Sequence, residues 1–302
     1  MISAILFHQI CIMFIYILLG MFLYQNKVIT DQGSKEIASI LLYLVIPCLL
    51  LNNLCVEPTD ENLASFALSV LGAVVCLGTS MLLSRIIYPK KPIHCFASTF
   101  SNAGFIGIPL VQAAMGEEMA FILMAMIVLL NILQCTYGVA ILTGDKQKMS
   151  LESLLNPIII AAFVSLLLFF TGIGVRLPDI ITAPIRAISS MNAPLAMLVL
   201  GVYFAKADYK KVFFDPDIYL LCFNRLILIP FITALVLHFL PIEKDVVLTL
   251  LIAAAAPVGT NVAVYSQLHD LDYSYASGMV VCSTLLSILT VPVFISVIER
   301  II

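Results

Sequence analysis

The apolar residues of this chain fall into ten long runs, and runs of that length leave a polypeptide few options. In the first half they are Ile2 to Tyr24, Ile37 to Leu54, Leu63 to Ile87, Cys95 to Gly116 and Met119 to Leu142. In the second they are Pro157 to Ile173, Ile180 to Phe204, Ile218 to Leu240, Val246 to Leu268 and Tyr275 to Ile298. About 20 apolar residues cross the hydrocarbon of a bilayer as a helix, which satisfies every backbone amide and carbonyl where no water can. Hydrophobic residues make up 62% of the 302 positions and charged residues 11%, against roughly a half and a quarter in soluble domains. The expected class is therefore an all-α integral membrane protein with ten transmembrane helices. Only Glu117 and Glu118 part the fourth run from the fifth. Residues 1 to 24 lack a basic start and form too long a run for a signal peptide, so they are expected to persist as a helix, with no soluble domain appended.

Several function classes drop out. A net charge of −3 with no concentrated basic face excludes nucleic acid as a partner. The eight cysteines form no CxxC pair and most sit in apolar runs, where they read as small hydrophobes rather than disulfides or metal ligands. GxxxxGK[ST], HExxH and GxSxG are absent. The chain is expected to be no enzyme, with no catalytic residue, metal site or cofactor.

Loop charge sets an orientation. Connections after runs one, three, five, seven and nine hold Lys27, Lys35, Arg85, Lys90, Lys91, Lys146, Lys148, Lys206, Lys210 and Lys211, against Arg176, Arg186, Lys244 and Arg300 opposite. Positive-inside bias makes the first set cytoplasmic and leaves both termini outside, in the plasma (inner) membrane.

The fourth run cannot be one regular helix. Pro109 lacks an amide hydrogen, clashes with the carbonyl at Phe105 and pushes Ile108 toward an extended conformation. Gly104 and Gly107 ease the departure just ahead of it, so two half-helices joined by an unwound piece are expected there, with Asn102 the nearest side-chain amide. The ninth run repeats the combination as Pro257, Gly259 and Asn261. Unwound backbone at that depth survives only where protein, water or solute meets it. Paired interruptions in the two halves are the best sequence pointer to a transporter's midplane site.

The polar connection Thr143 to Asn156 divides the runs five and five. A duplicated unit with an odd number of spans inserts its second copy upside down, so residues 1–142 and 157–302 are expected to be inverted five-helix repeats joined by a linker at 143–156. Pro47 in run two and Pro194 in run seven extend the correspondence. Runs four and nine would then cross with two half-helix starts facing one cavity. Each start carries about +0.5 of an elementary charge, which favours an anion. Asn102 and Asn261 can donate to a carboxylate, with Thr260 and Ser101 weaker candidates. Arg225 in run eight either balances a substrate's charge or bonds free backbone carbonyls. No Asp or Glu falls in mid-run, which disfavours a carboxylate-based ion site, and His8 and His238 are the titratable relay candidates.

SNAGFIGIPL at Ser101 to Leu110, AAPVGTNVAVYSQL at Ala255 to Leu268 and STLLSILTVP at Ser283 to Pro292 resemble the auxin efflux carrier family, over the whole chain. The resemblance implies inverted repeats with crossover helices four and nine. It also implies a scaffold from helices 1, 2, 6 and 7, often dimeric, and a moving transport domain from helices 3–5 and 8–10. Asn102 matches the family's carboxylate-contacting asparagine, Pro109 and Pro257 its crossover prolines, and Gly259 the glycine that follows. Val258 stands where plant members carry glutamine, and the central loop is short, as in the bacterial malate or malonate permeases. The expected function is a secondary or facilitative transporter of small mono- or dicarboxylates by elevator-like alternating access. The expected substrate-binding set is Asn102, Gly104, Gly107, Pro109, Pro257, Gly259, Thr260, Asn261 and Arg225. The alternatives are a sodium- or proton-coupled symporter of organic anions and a membrane ligand sensor that transports nothing.

Overall fold

The computed structural model describes residues 2–144 and 157–301, so Lys146 and Lys148 of the orientation count lie outside the described residues, as does most of the central connection. Helix accounts for all the regular structure there, and the one extended pairing is an isolated antiparallel bridge between Ser101 and Val258. In chain order the main helices are α1 Ile2–Gln25, α2 Asp31–Leu54, α3 Asp60–Ile87, α4 Pro92–Thr99, α5 Ala103–Met115 and α6 Glu117–Thr143. After the gap come α7 Pro157–Thr171, α8 Asp179–Lys206, α9 Pro216–His238, α10 Lys244–Ala254, α11 Asn261–Leu268 and α12 Tyr273–Ile301. Each predicted run is helical. Among the described residues seven helices (α1, α2, α3, α6, α8, α9 and α12) are long and apolar enough to cross a bilayer unbroken. Runs four and nine are each split in two, and α7 has only 15 residues.

Local chemistry explains the starts. Thr30 accepts from the Gly33 amide at 3.0 Å, Thr59 from Asn62 at 3.2 Å and Asp215 from Asp217 at 2.9 Å, so α2, α3 and α9 each open on a side-chain cap. Large apolar side chains such as Leu18 and Phe22 on α1, Phe163 and Phe170 on α7 and Leu289 and Val293 on α12 face outward. In water such a surface is a liability; against lipid tails it is the required one.

α1 packs on three partners, the second half of α8, α12 and the second half of α5. α1 runs along the second half of α8, where an added Cβ on Gly20 would sit 2.3 Å from the Leu198 carbonyl oxygen and one on Gly201 2.3 Å from that of Ile17. Backbones approach this closely only where both faces are glycine. The end of α2 packs on α7 and on the start of α8, while α3 packs on α6, α9 and α10.

The interruption of run four lies earlier than its proline implies. Phe100 and Asn102 leave helical geometry, whereas Ile108 keeps φ −58° and ψ −53° and Pro109 sits in the first turn of a regular helical stretch. Residues Ala103–Gly107 form a π turn, whose wider hydrogen-bond ring accommodates the missing donor and the ring clash. The proline therefore widens the helix and does not break it.

Candidate functional site

The two interruptions meet. The Asn102 amide donates to the Pro257 carbonyl at 2.8 Å and the Gly259 amide to the Phe100 carbonyl at 3.0 Å, so each unwound piece satisfies the other. The Val258 amide donates to Ser283 Oγ at 3.1 Å from α12. Gly259 keeps the two pieces close, because a Cβ would come within 3.1 Å of the Ser101 carbonyl oxygen and 3.2 Å of that of Phe100 and would push them apart. Gly107 lets α5 approach α10, its missing Cβ position lying 3.3 Å from Ala253.

Four helix ends converge on this pair, and their charges are sorted. The carbonyl ends of α4 and α10 point to Arg225, which is 1% exposed. Its guanidinium donates through Nη1 to the Ser98 carbonyl at 3.2 Å, through Nε to that of Ala256 at 3.3 Å and through Nη2 to that of Ala254. Orphan carbonyls and the negative ends of two helix dipoles thus share one cation. Of the two roles open to Arg225, the geometry carries the carbonyl brace, and its side chain is absent from the cavity on the other side of the break.

That cavity lies at the amide ends of α5 and α11. Its volume is about 40 Å³, and Ser101, Asn102, Gly104, Gly259, Thr260 and Asn261 line it. Asn102 is 4% exposed and its Nδ2 has no partner; Ser101 Oγ is likewise buried and unpartnered. Neither Asn102 nor Thr260 caps the helix it precedes, in contrast with Thr30, Thr59 and Asp215. The site therefore holds two unsatisfied side-chain donors ahead of α5, beside the uncapped start of α11, and helix starts of this kind favour negative charge. Asn261 Nδ2 donates to Gln134 Oε1 at 2.7 Å, tying α11 to α6. The opposite wall is apolar, from Leu42, Ile46 and Leu49 on α2 with Phe105, Ile108, Ile127 and Leu130.

Two larger cavities flank this one, and all three follow in order along α2. One of about 600 Å³ is lined by Asp31, Lys35, Leu42, Lys206 and Tyr273; the other, of about 650 Å³, by Leu49, Asn52, Gln112, Glu117 and Arg186. Leu42 and Leu49 are the residues shared with the centre, and a further cavity of about 30 Å³, lined by Leu42, Phe105, Tyr203, Thr260 and Asn261, lies between the centre and the first of these.

The structure brings Asn102, Gly104, Gly259, Thr260 and Asn261 together around one cavity, places Gly107 and Pro257 in the surrounding packing, and puts Pro109 on the flanking cavity. Gln134 and Asn131 were not singled out, although two amides three residues apart in an apolar helix are a readable signal. Asn192 was also missed; its Nδ2 donates to the Gly104 carbonyl at 3.0 Å from α8. His8 and His238 are exposed on helix surfaces away from the site, whereas His94 is buried and its Nε2 meets the Tyr275 hydroxyl at 3.3 Å.

Residues 5–295 match the model of the family described as membrane transport protein. A relative from Rhizobium meliloti (strain 1021), whose name provisionally assigns it malonate transport, is 25% identical over 268 residues, covering 83% of this chain and 82% of its own. An uncharacterized transporter of Methanocaldococcus jannaschii is 23% identical over 298 residues, covering 93% of this chain and 95% of its own.

Proposed function

We propose, from the premise that the chain belongs to the membrane transport protein family, the auxin efflux carriers its motifs resemble, that it is a facilitative carrier of small carboxylates. The observation that carries this reading is the buried, unpartnered side-chain Nδ2 of Asn102 at the meeting of two interrupted helices, with a cavity on either side. A carboxylate would accept from Asn102 Nδ2 and Ser101 Oγ, and alternating access would join the central cavity first to one flanking cavity and then to the other. The name of the Rhizobium relative makes malonate the first substrate to test.

The remaining architecture belongs to the same proposal. Ten membrane crossings form two inverted repeats, with α4–α5 and α10–α11 as the crossing pair. A scaffold of α1, α2, α7 and α8, paired as a homodimer in the plasma (inner) membrane with both termini outside, carries a moving body built from α3–α6 and α9–α12. The glycine contact of α1 with α8 supports the first group, and the packing of α3 on α6, α9 and α10 the second. No acidic side chain lines the central cavity, which favours uniport over sodium or proton symport.

Flux of labelled mono- and dicarboxylates into proteoliposomes tests the function. Asn102→Ala is expected to keep normal yield and melting behaviour while raising the half-saturating concentration about tenfold to a hundredfold, from the roughly 1.5–3 kcal/mol of a hydrogen bond to a charged group. Ligand binding without transmembrane movement would turn the reading to a sensor, and flux that stops in sodium-free buffer would turn it to a symporter.

A further inference from the structure

We propose that the central cavity carries one negative charge per cycle, so that a dicarboxylate crosses as its singly protonated acid and a monocarboxylate as the plain anion. The inference rests on the transport reading above and specifies what that site accepts.

The positive side of the cavity amounts to about one unit. Two helix starts, α5 and α11, contribute about +0.5 each, and no side chain caps either of them. Two buried unpartnered donors, Asn102 Nδ2 and Ser101 Oγ, suffice for the two oxygens of one carboxylate. Beyond them no lining side chain is ionisable. Arg225 lies behind the interruptions, its donors spent on three carbonyls. Tyr203 lines the adjoining small cavity, and the charged groups of the flanking cavities stand further off: Asp31, Lys35 and Lys206, with Tyr273, past Leu42, and Glu117 and Arg186 past Leu49.

The rest of the wall suits a neutral acid. Leu42, Ile46 and Leu49 meet methylene groups, and the polar side-chain atoms left over are the single Thr260 hydroxyl and amide oxygens. Asn131 spends its Nδ2 on the Ile127 carbonyl at 2.7 Å, which leaves its Oδ1 for an incoming donor. Gln134 Oε1 accepts one bond from Asn261 and has a second lone pair. A protonated carboxyl group donates to such oxygens; a second carboxylate meets them as acceptor against acceptor, with no cation in reach. The proton that enters with the acid leaves with it on the far side, and none passes to the protein.

The test uses the purified protein in proteoliposomes, with protein-free vesicles as the blank. Initial uptake of labelled malonate is measured across the pH range in which malonate loses its second proton, alone and against monomethyl malonate, a singly charged analogue with no second proton. The half-saturating concentration of total malonate is expected to rise about tenfold per pH unit above that dissociation. The half-inhibitory concentration of monomethyl malonate, taken at malonate well below saturation, is expected to stay level. A malonate constant that stays level or falls as pH rises overturns the proposal. So does a monomethyl malonate constant that moves in parallel, since the protein would then be the titrating partner. Absence of flux with every carboxylate at every pH sinks instead the transport reading beneath it.

Discussion

Arg225 shows how one side chain can hold two helix ends in hydrocarbon. Each carbonyl it bonds would otherwise be a buried orphan costing about 1–3 kcal/mol, so Arg225→Met is expected to lose folded protein, seen as poor yield and early aggregation in detergent. Two glycines give the opposite contrast. Gly259→Ala drives a methyl group into the Ser101 and Phe100 carbonyls and should cost about 1–3 kcal/mol by separating the paired backbones. Gly104→Ala meets nothing within 4 Å, because its Cβ would enter the cavity. Thermal stability should hold or rise by about 0.5–1 kcal/mol, while uptake falls most for the larger carboxylates. Asn102 and Asn261 were legible because amides beside Pro and Gly in an apolar run have few other uses. The part played by Asn192 was not, since its bond to Gly104 spans 88 residues and depends on how α8 lies against α5.

At the level of the helix, the recurring device is a π turn. Leu41–Val45, Ala103–Gly107 and Asn224–Leu228 each run directly into an Ile-Pro pair, at Pro47, Pro109 and Pro230, and a fourth, Gln134–Gly138, has no proline. Each supplies a residue of the site or its brace: Leu42, Gly104 and Phe105, Gln134, and Arg225. A wider turn admits one extra residue and rotates everything before it relative to everything after, which aims side chains that a regular helix would turn elsewhere. Pro109→Ala restores the missing donor and lets an ordinary turn re-form. Transport should drop at least severalfold with folded yield intact, and a variant that transports normally would show that the turn has no part in aiming the site. The prolines were plain in the sequence and their consequence was not, because a missing amide can be accommodated by a break or by a wider ring. Neighbouring packing, here Gly107 on Ala253, selects between them.

Across the molecule, the proposed division sets a scaffold against a moving body, with the central cavity beside α2. Leu42 on α2 and Val264 on α11 both line the cavity beside Lys206, so cysteines at these positions joined by a short bifunctional reagent should halt uptake, and cleavage of the link should restore it. An unimpeded rate after full crosslinking would show that the two groups do not move past each other there. The all-helical class could be read from apolar run length and the paired interruptions from Pro, Gly and Asn; contacts such as Gly20 with Gly201 could not, since they join residues 181 positions apart. The small centre has one more consequence. At about 40 Å³ it has room for roughly three waters and no dicarboxylate, so on the proposed reading a carboxylate can enter only if the lining parts. The longer the cargo, the wider that parting has to be, and initial uptake should fall with chain length across labelled C2 to C6 acids.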